Sequence, residues 1–179
     1  GATAADFNPM MLDGIAEVVA TNAEAAGGKV SIYTLTGQEV MSVQTMPDPG
    51  VVVEAGNESG GPPTIGDFDH DGFPEVAIAG ATRFRVFDFD CKAGGAGCEA
   101  PYVRWSQPSQ DASSRQTAAS IFDFDGDGKA EAIYADECFL RVYDGLSGDV
   151  LFSSYRTSGT WLENPVVADV DKDDNTEIV

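Results

Sequence analysis

Short apolar segments recur along this chain, and two of them stand in the same place relative to an acidic stretch. They are Val76-Ala77-Ile78-Ala79 after Glu75, and Ala132-Ile133-Tyr134-Ala135 after Glu131. Both are short and bounded by turn residues, which predicts strands. A segment of alternating character follows each: Arg83-Phe84-Arg85-Val86-Phe87-Asp88 in one unit and Leu140-Arg141-Val142-Tyr143-Asp144 in the other. Lys29-Val30-Ser31-Ile32-Tyr33 is the counterpart nearer the start. A glycine turn then leads to a further strand in Thr36-Gly37-Gln38-Glu39-Val40-Met41 and in Ser147-Gly148-Asp149-Val150-Leu151-Phe152. Apolar stretches also precede the acidic segments, at Pro63-Thr64-Ile65, Ala119-Ser120-Ile121 and Pro165-Val166-Val167. A unit therefore holds four strands, the size of a β-propeller blade. Gly14 to Ala26 has a composition that also suits a helix, but Glu17-Val18-Val19-Ala20 occupies the strand slot of the other units.

The acidic segments align without gaps. Ile65-Gly66-Asp67-Phe68-Asp69-His70-Asp71-Gly72-Phe73-Pro74-Glu75-Val76 matches Ile121-Phe122-Asp123-Phe124-Asp125-Gly126-Asp127-Gly128-Lys129-Ala130-Glu131-Ala132. A third copy is Val167-Ala168-Asp169-Val170-Asp171-Lys172-Asp173-Asp174-Asn175-Thr176-Glu177-Ile178. A degenerate copy near the start retains Asp6, Asn8, Asp13 and Glu17, with an insertion before Asp13. Aspartates at alternate positions converge on one point when the loop curls, and such oxygen-only donors suit a hard cation. Gly72 and Gly128 permit the sharp turn that follows. Without a counter-charge these carboxylates repel one another, so calcium explains the cluster better than a solvated turn does. An EF-hand begins with the same pattern but needs a glutamate at the twelfth loop position and flanking helices. The twelfth positions here are Ile78 and Tyr134, and the flanks read as strands. Magnesium, which keeps more water, suits the acidic cage less well.

Charge carries the same message. The chain has 30 acidic and 10 basic residues and a net charge of −20, which repels nucleic acid and anionic membranes. No apolar run approaches the length of a membrane span. Neither a signal peptide nor an initiator methionine opens the sequence, and Thr176-Glu177-Ile178-Val179 reads as the opening of a strand. A mature or trimmed product of a longer protein is the expectation. Cys91 and Cys98 bracket a flexible loop short enough to close as a disulfide, leaving Cys138 free or paired outside the chain; the alternative is reduced, buried thiols.

These repeats resemble the FG-GAP repeats of integrin α-chains and their bacterial VCBS-type relatives. The likeness spans nearly the whole chain, with gaps around Pro47 to Gly60 and Cys91 to Arg115. It implies an all-β fold of propeller blades, each of four antiparallel strands with the calcium loop between the first two. The blades would be a degenerate first one with linker (1–60), a second (61–116), a third (117–164) and the start of a fourth (165–179), all in one propeller domain. The resemblance assigns one calcium to Asp67, Asp69, Asp71, Glu75 and the Phe73 carbonyl. A second falls to Asp123, Asp125, Asp127, Glu131 and the Lys129 carbonyl, and a third to Asp169, Asp171, Asp173, Glu177 and the Asn175 carbonyl. With the degenerate loop, about two to four Ca2+ ions are expected, their role structural. The departures are glutamate as the last ligand and Asp174 where glycine is expected. Propellers have about 4 to 8 blades, so the rest of the ring would come from the missing chain or another copy.

Function is less sharply defined. A binding or adhesion module of a secreted or cell-surface protein, with a glycan or protein ligand, is the first reading; Tyr102, Trp105, Arg115 and Trp161 are candidate contacts. The propeller portion of a secreted polysaccharide lyase is a second reading, and a structural element of a surface layer or filament a third. No catalytic residue or organic cofactor site stands out. His70 is the sole histidine and lies mid-loop, and Gly-x-Ser-x-Gly, His-Glu-x-x-His and Gly-rich phosphate motifs are absent.

Overall fold

The computed structural model describes residues 2–6, 14–22, 29–44, 61–80, 82–91, 98, 102–111, 113, 117–159 and 163–179. Among them every regular element is a strand. The first sheet comprises β1 (Ala2–Ala5), β2 (Glu17–Asn22), β3 (Lys29–Tyr33) and β4 (Glu39–Gln44). The second comprises β5 (Thr64–Gly66), β6 (Glu75–Gly80), β7 (Arg83–Phe87) and β8 (Val103–Pro108). The third comprises β9 (Ser120–Phe122), β10 (Glu131–Ala135), β11 (Phe139–Tyr143) and β12 (Val150–Tyr155). A two-stranded sheet, β13 (Val167–Ala168) with β14 (Glu177–Ile178), completes the series.

Each four-stranded sheet is a meander, antiparallel throughout and ordered as in the chain. The unit of four strands read from the repeat is thus present three times. Glu17–Asn22 is a strand, as the slot correspondence requires, and no helix forms among the described residues. Gly37 and Gly148 take φ of 85° and 75° in the turns before β4 and β12, so those strands start after the glycine rather than across it. The repeat reaches finer detail than the sequence announces. A register shift between the third and fourth strands falls at Ile32/Tyr33, Val86/Phe87 and Val142/Tyr143, the same place in each sheet.

Consecutive sheets pack face to face. On β6, Val76 and Ile78 point toward Val19, Val30 and Ile32 of the first sheet. Ala77 and Ala79 point the other way, toward Ala132, Tyr134 and Tyr143 of the third. A strand buried on both faces needs no polar alternation, which is why Val76-Ala77-Ile78-Ala79 is uniformly apolar. Aromatic rings fill the second interface: Phe84 stacks on Tyr134 with centroids 4.5 Å apart, and Trp105 lies 5.7 Å from Tyr143. Offset and edge contacts of this kind add about 0.5–1.5 kcal/mol per pair beyond area burial.

The first strands lie side by side, β1 with β5, β5 with β9 and β9 with β13. Hydroxyls tie the sheets there: Thr64 Oγ1 donates to the Ala119 carbonyl at 2.8 Å, and Ser120 Oγ to the Pro165 carbonyl. The outer face of the third sheet differs. Val142 pairs with Phe152 as Val86 pairs with Trp105, yet Phe152 is 50% exposed and Trp105 only 1%. Phe124, Leu140, Val142 and Phe152 line an open groove of about 490 Å³ there.

Candidate metal centre

The three acidic segments form the connections β5–β6, β9–β10 and β13–β14. Paired strands thus hold both ends of each loop, as the exclusion of an EF-hand requires. Between them the chain curls around its own aspartates. In the first loop Asp67 accepts the amide protons of Asp71 and Gly72, both at 3.1 Å. Asp69 accepts Asp71 N–H at 3.1 Å, and Asp71 accepts Phe73 N–H at 2.8 Å. The second loop repeats this: Asp123 accepts from Asp127 and Gly128, Asp125 from Asp127, and Asp127 from Lys129. In the third, Asp169 accepts from Asp173 and Asp174, and Asp173 from Asn175.

These turns bring carboxylate oxygens together. One oxygen from each of Asp67, Asp69 and Asp71 lies within 4.8 Å of the others, and the same holds for Asp123, Asp125 and Asp127. In the third loop the group is Asp169, Asp171 and Glu177, so Asp173 falls outside it. The loop glutamates turn back instead. Glu75 accepts Phe68 N–H at 2.6 Å, Glu131 accepts Phe124 N–H at 2.7 Å, and Glu177 accepts Val170 N–H at 3.0 Å. That bond places one carboxylate oxygen under each loop and leaves Glu75 and Glu131 outside the three-aspartate groups. Phe73, Lys129 and Asn175 share the seventh loop position.

Burial makes these carboxylates costly. Glu75 is 1% exposed, and desolvation pushes its carboxyl up to about 9. Glu131 moves in the same direction for the same reason. Asp69 is also raised, chiefly by burial, with the charge of Arg104 opposing it. An ion would supply the missing counter-charge. All-oxygen donors, three converging per loop, with a buried glutamate beside them in the first two, fit a hard dication such as calcium.

Two features escaped the sequence. The fourth position of each loop is left-handed as well as the sixth: His70, Gly126 and Lys172 have φ of 63°, 75° and 65°. Gly126 was the only hint of this. Asp174 adopts φ 69°, where Gly72 and Gly128 take 90° and 88°, so the turn survives the missing glycine; aspartate is among the residues that tolerate this region. The second feature is Arg104, buried on β8 and bridging Asp69 to Asp88, with Nε at 2.9 Å from the Asp88 carboxylate. Its counterpart on β12 is Leu151, so the second loop has no buried cation at this place.

Other candidates fall differently. Trp105 is a core residue between sheets, not a contact surface; a strand position facing a neighbouring sheet cannot also face a ligand. Tyr102 is half-buried, and its N–H donates to the Cys91 carbonyl at 3.2 Å. Arg115 and Trp161 lie outside the described residues, as do Asn8 and Asp13 of the degenerate loop; Asp6 accepts Gly14 N–H at 2.7 Å. Cys91 and Cys98 are joined as a disulfide, and Cys138 is a free, half-buried thiol.

No family model matches the chain, and no curated protein matches it. Among solved structures it is similar to the biofilm matrix protein Bap1 of V. cholerae, at 20% identity and a TM-score of 0.49. The match covers 85% of this chain but only 28% of that one, so the chain spans less than a third of its length.

Proposed function

We propose that this chain is a calcium-stapled segment of an extracellular β-propeller that serves binding or adhesion. The observation that carries the reading is the threefold recurrence of one oxygen-only loop at one place in successive sheets. Asp67, Asp69 and Asp71, with Glu75 and the Phe73 carbonyl, would hold the first ion. Asp123, Asp125, Asp127, Glu131 and the Lys129 carbonyl would hold the second. Asp169, Asp171, Asp173, Glu177 and the Asn175 carbonyl would hold the third. The ion's work is structural: it neutralises crowded carboxylates and locks the loop between two strands. Binding only the folded form stabilises it by mass action, about 2.7 kcal/mol per site at a hundredfold excess over Kd.

Extracellular modules bind calcium at ~10⁻⁴ to 10⁻³ M, a range filled outside cells, and the Cys91–Cys98 disulfide favours the same location. The outer face of the third sheet, where Phe124 and Phe152 are exposed, supports the propeller. Its residues Phe124, Leu140, Val142 and Phe152 occupy the positions of Phe68, Phe84, Val86 and Trp105, which the next sheet covers. A further sheet, from the remainder of the protein or another copy, would cover them. The ligand would be a glycan or a protein.

Calorimetric titration of metal-stripped protein with calcium, with melting followed in parallel, tests the reading. Uptake at the loops, a melting point that climbs with calcium, and loss of one site in each of Asp67→Asn, Asp123→Asn and Asp169→Asn are expected. Absence of uptake with an unchanged melt would overturn it. Saturable, calcium-dependent retention of polysaccharide or protein supports the binding role, whereas release of unsaturated sugar ends would assign a lyase.

A further inference from the structure

Donor chemistry gives His70 no role, since it stands between two aspartates of the first loop and is exposed. Its side chain nevertheless leaves its own loop. Nδ1–H donates to the carbonyl of Gly128, 2.7 Å away, at the sixth position of the second loop. The ring lies close on that backbone: a Cβ at Gly128 would sit 2.8 Å from the imidazole. A second bond runs beside it, from Ala130 N–H to the Asp67 carbonyl at 3.4 Å. The two loops therefore share hydrogen bonds at the residues whose conformation brings their carboxylates together. Between the second and third loops the arrangement is absent. Gly126 holds the His70 position and has no side chain to offer, and among the described residues no hydrogen bond joins those loops.

We infer that His70 couples the first two calcium loops, so that filling either one favours filling the other, while the third loop fills independently. The inference rests on the calcium reading above. Its physical basis is shared ordering. An ion in the second loop fixes Gly128, whose carbonyl then holds His70 and the left-handed backbone between Asp69 and Asp71. The first loop enters its own binding step with part of its conformational freedom already lost. Reciprocity requires the same factor in the other direction.

Gly126 shows that glycine suits the fourth loop position, so His70→Gly removes the side chain without straining the φ of 63°. His70→Asn is the conservative partner, because asparagine tolerates that region and carries an N–H donor. Calcium titrations followed by NMR, with the amides of Gly72 and Gly128 as loop-specific reporters, read each site separately. Disabling the second loop with Asp123→Asn/Asp127→Asn should weaken calcium binding at the first by roughly fivefold or more. In the His70→Gly background that loss should vanish, and His70→Asn should restore it. Disabling the third loop with Asp169→Asn should leave the first unchanged. In metal-free protein, His70→Gly should speed exchange of the Ala130 amide.

Equal losses with and without His70, or no loss in the wild type, would overturn the coupling while leaving calcium binding intact. Unchanged Ala130 exchange would overturn the cross-loop contact itself. A wild-type protein that takes up no calcium would fail at the earlier step, and the coupling would fall with it.

Discussion

The indole Nε1–H of Trp105, on the last strand of the second sheet, donates to the carbonyl of Gly145 in the third, at 2.7 Å. The same ring lies against Gly148, where a Cβ would fall 2.6 Å from the indole. One aromatic side chain of the interface is thus seated on two glycines of a turn, Gly145 and Gly148, where added side chains would collide. Trp105→Ala should destabilise the protein by about 3–5 kcal/mol through lost burial and the cavity left behind. Gly148→Ala should also destabilise, because the indole must move and φ is 75°. Urea unfolding of both single variants and the double variant checks the contact. The double variant should lose clearly less than the sum, and simple additivity would count against it.

Arg104 is the buried cation of the first loop, held between Asp69 and Asp88. Arg104→Met should cost about 3–5 kcal/mol in metal-free protein, because two carboxylates lose their partner in a desolvated place. Calcium should reduce that loss by neutralising Asp69. Melting of both proteins with and without calcium reads it out, and an equal loss in both conditions would contradict a shared carboxylate.

Asp174 bears a side chain where the other loops have glycine, at φ 69°. A left-handed residue costs roughly 1–2 kcal/mol, less for aspartate, whose side chain tolerates the region. Asp174→Gly should therefore slow amide exchange in the third loop and tighten its calcium site by a few-fold. Faster exchange would mean that the Asp174 side chain contributes more than its backbone strain removes.

Asp90 is hydrogen-bonded to Asp88, and its carboxyl is pushed up to about 7, first by that bond and then by burial. Its unfolded value is near 3.8, so the folded protein holds the proton more tightly. The resulting stabilisation is complete below about pH 4 and is lost as pH rises through about 7. Asp90→Asn keeps a donor toward Asp88 and cannot titrate. The stability difference between variant and wild type should change in the variant's favour between pH 4 and 8, measured by urea unfolding without calcium. A pH-independent difference would remove Asp90 from this role.

The loops and strands were legible because their determinants are local. Alternate aspartates, the glycines at the sixth loop positions and strand-length apolar runs after Glu75 and Glu131 each act over a few residues. Trp105 stood as a candidate contact and is core, because a strand's sequence shows alternation but not which neighbour each face meets. The left-handed backbone at Lys172 was hidden because lysine disfavours that region and is held there by its amide hydrogen bond to Asp169.

By itself, then, the sequence determined the repeat, the four-stranded unit and the oxygen-only loops, since spacing within one segment sets which side chains share a face or converge on a point. Only the tertiary structure decided that Arg104 reaches Asp69, that Trp105 rests on Gly145 and that His70 bridges to Gly128. Each of those contacts joins residues far apart in the chain. Their distance depends on the angle and register at which whole strands and sheets pack, and no local pattern of residues encodes that.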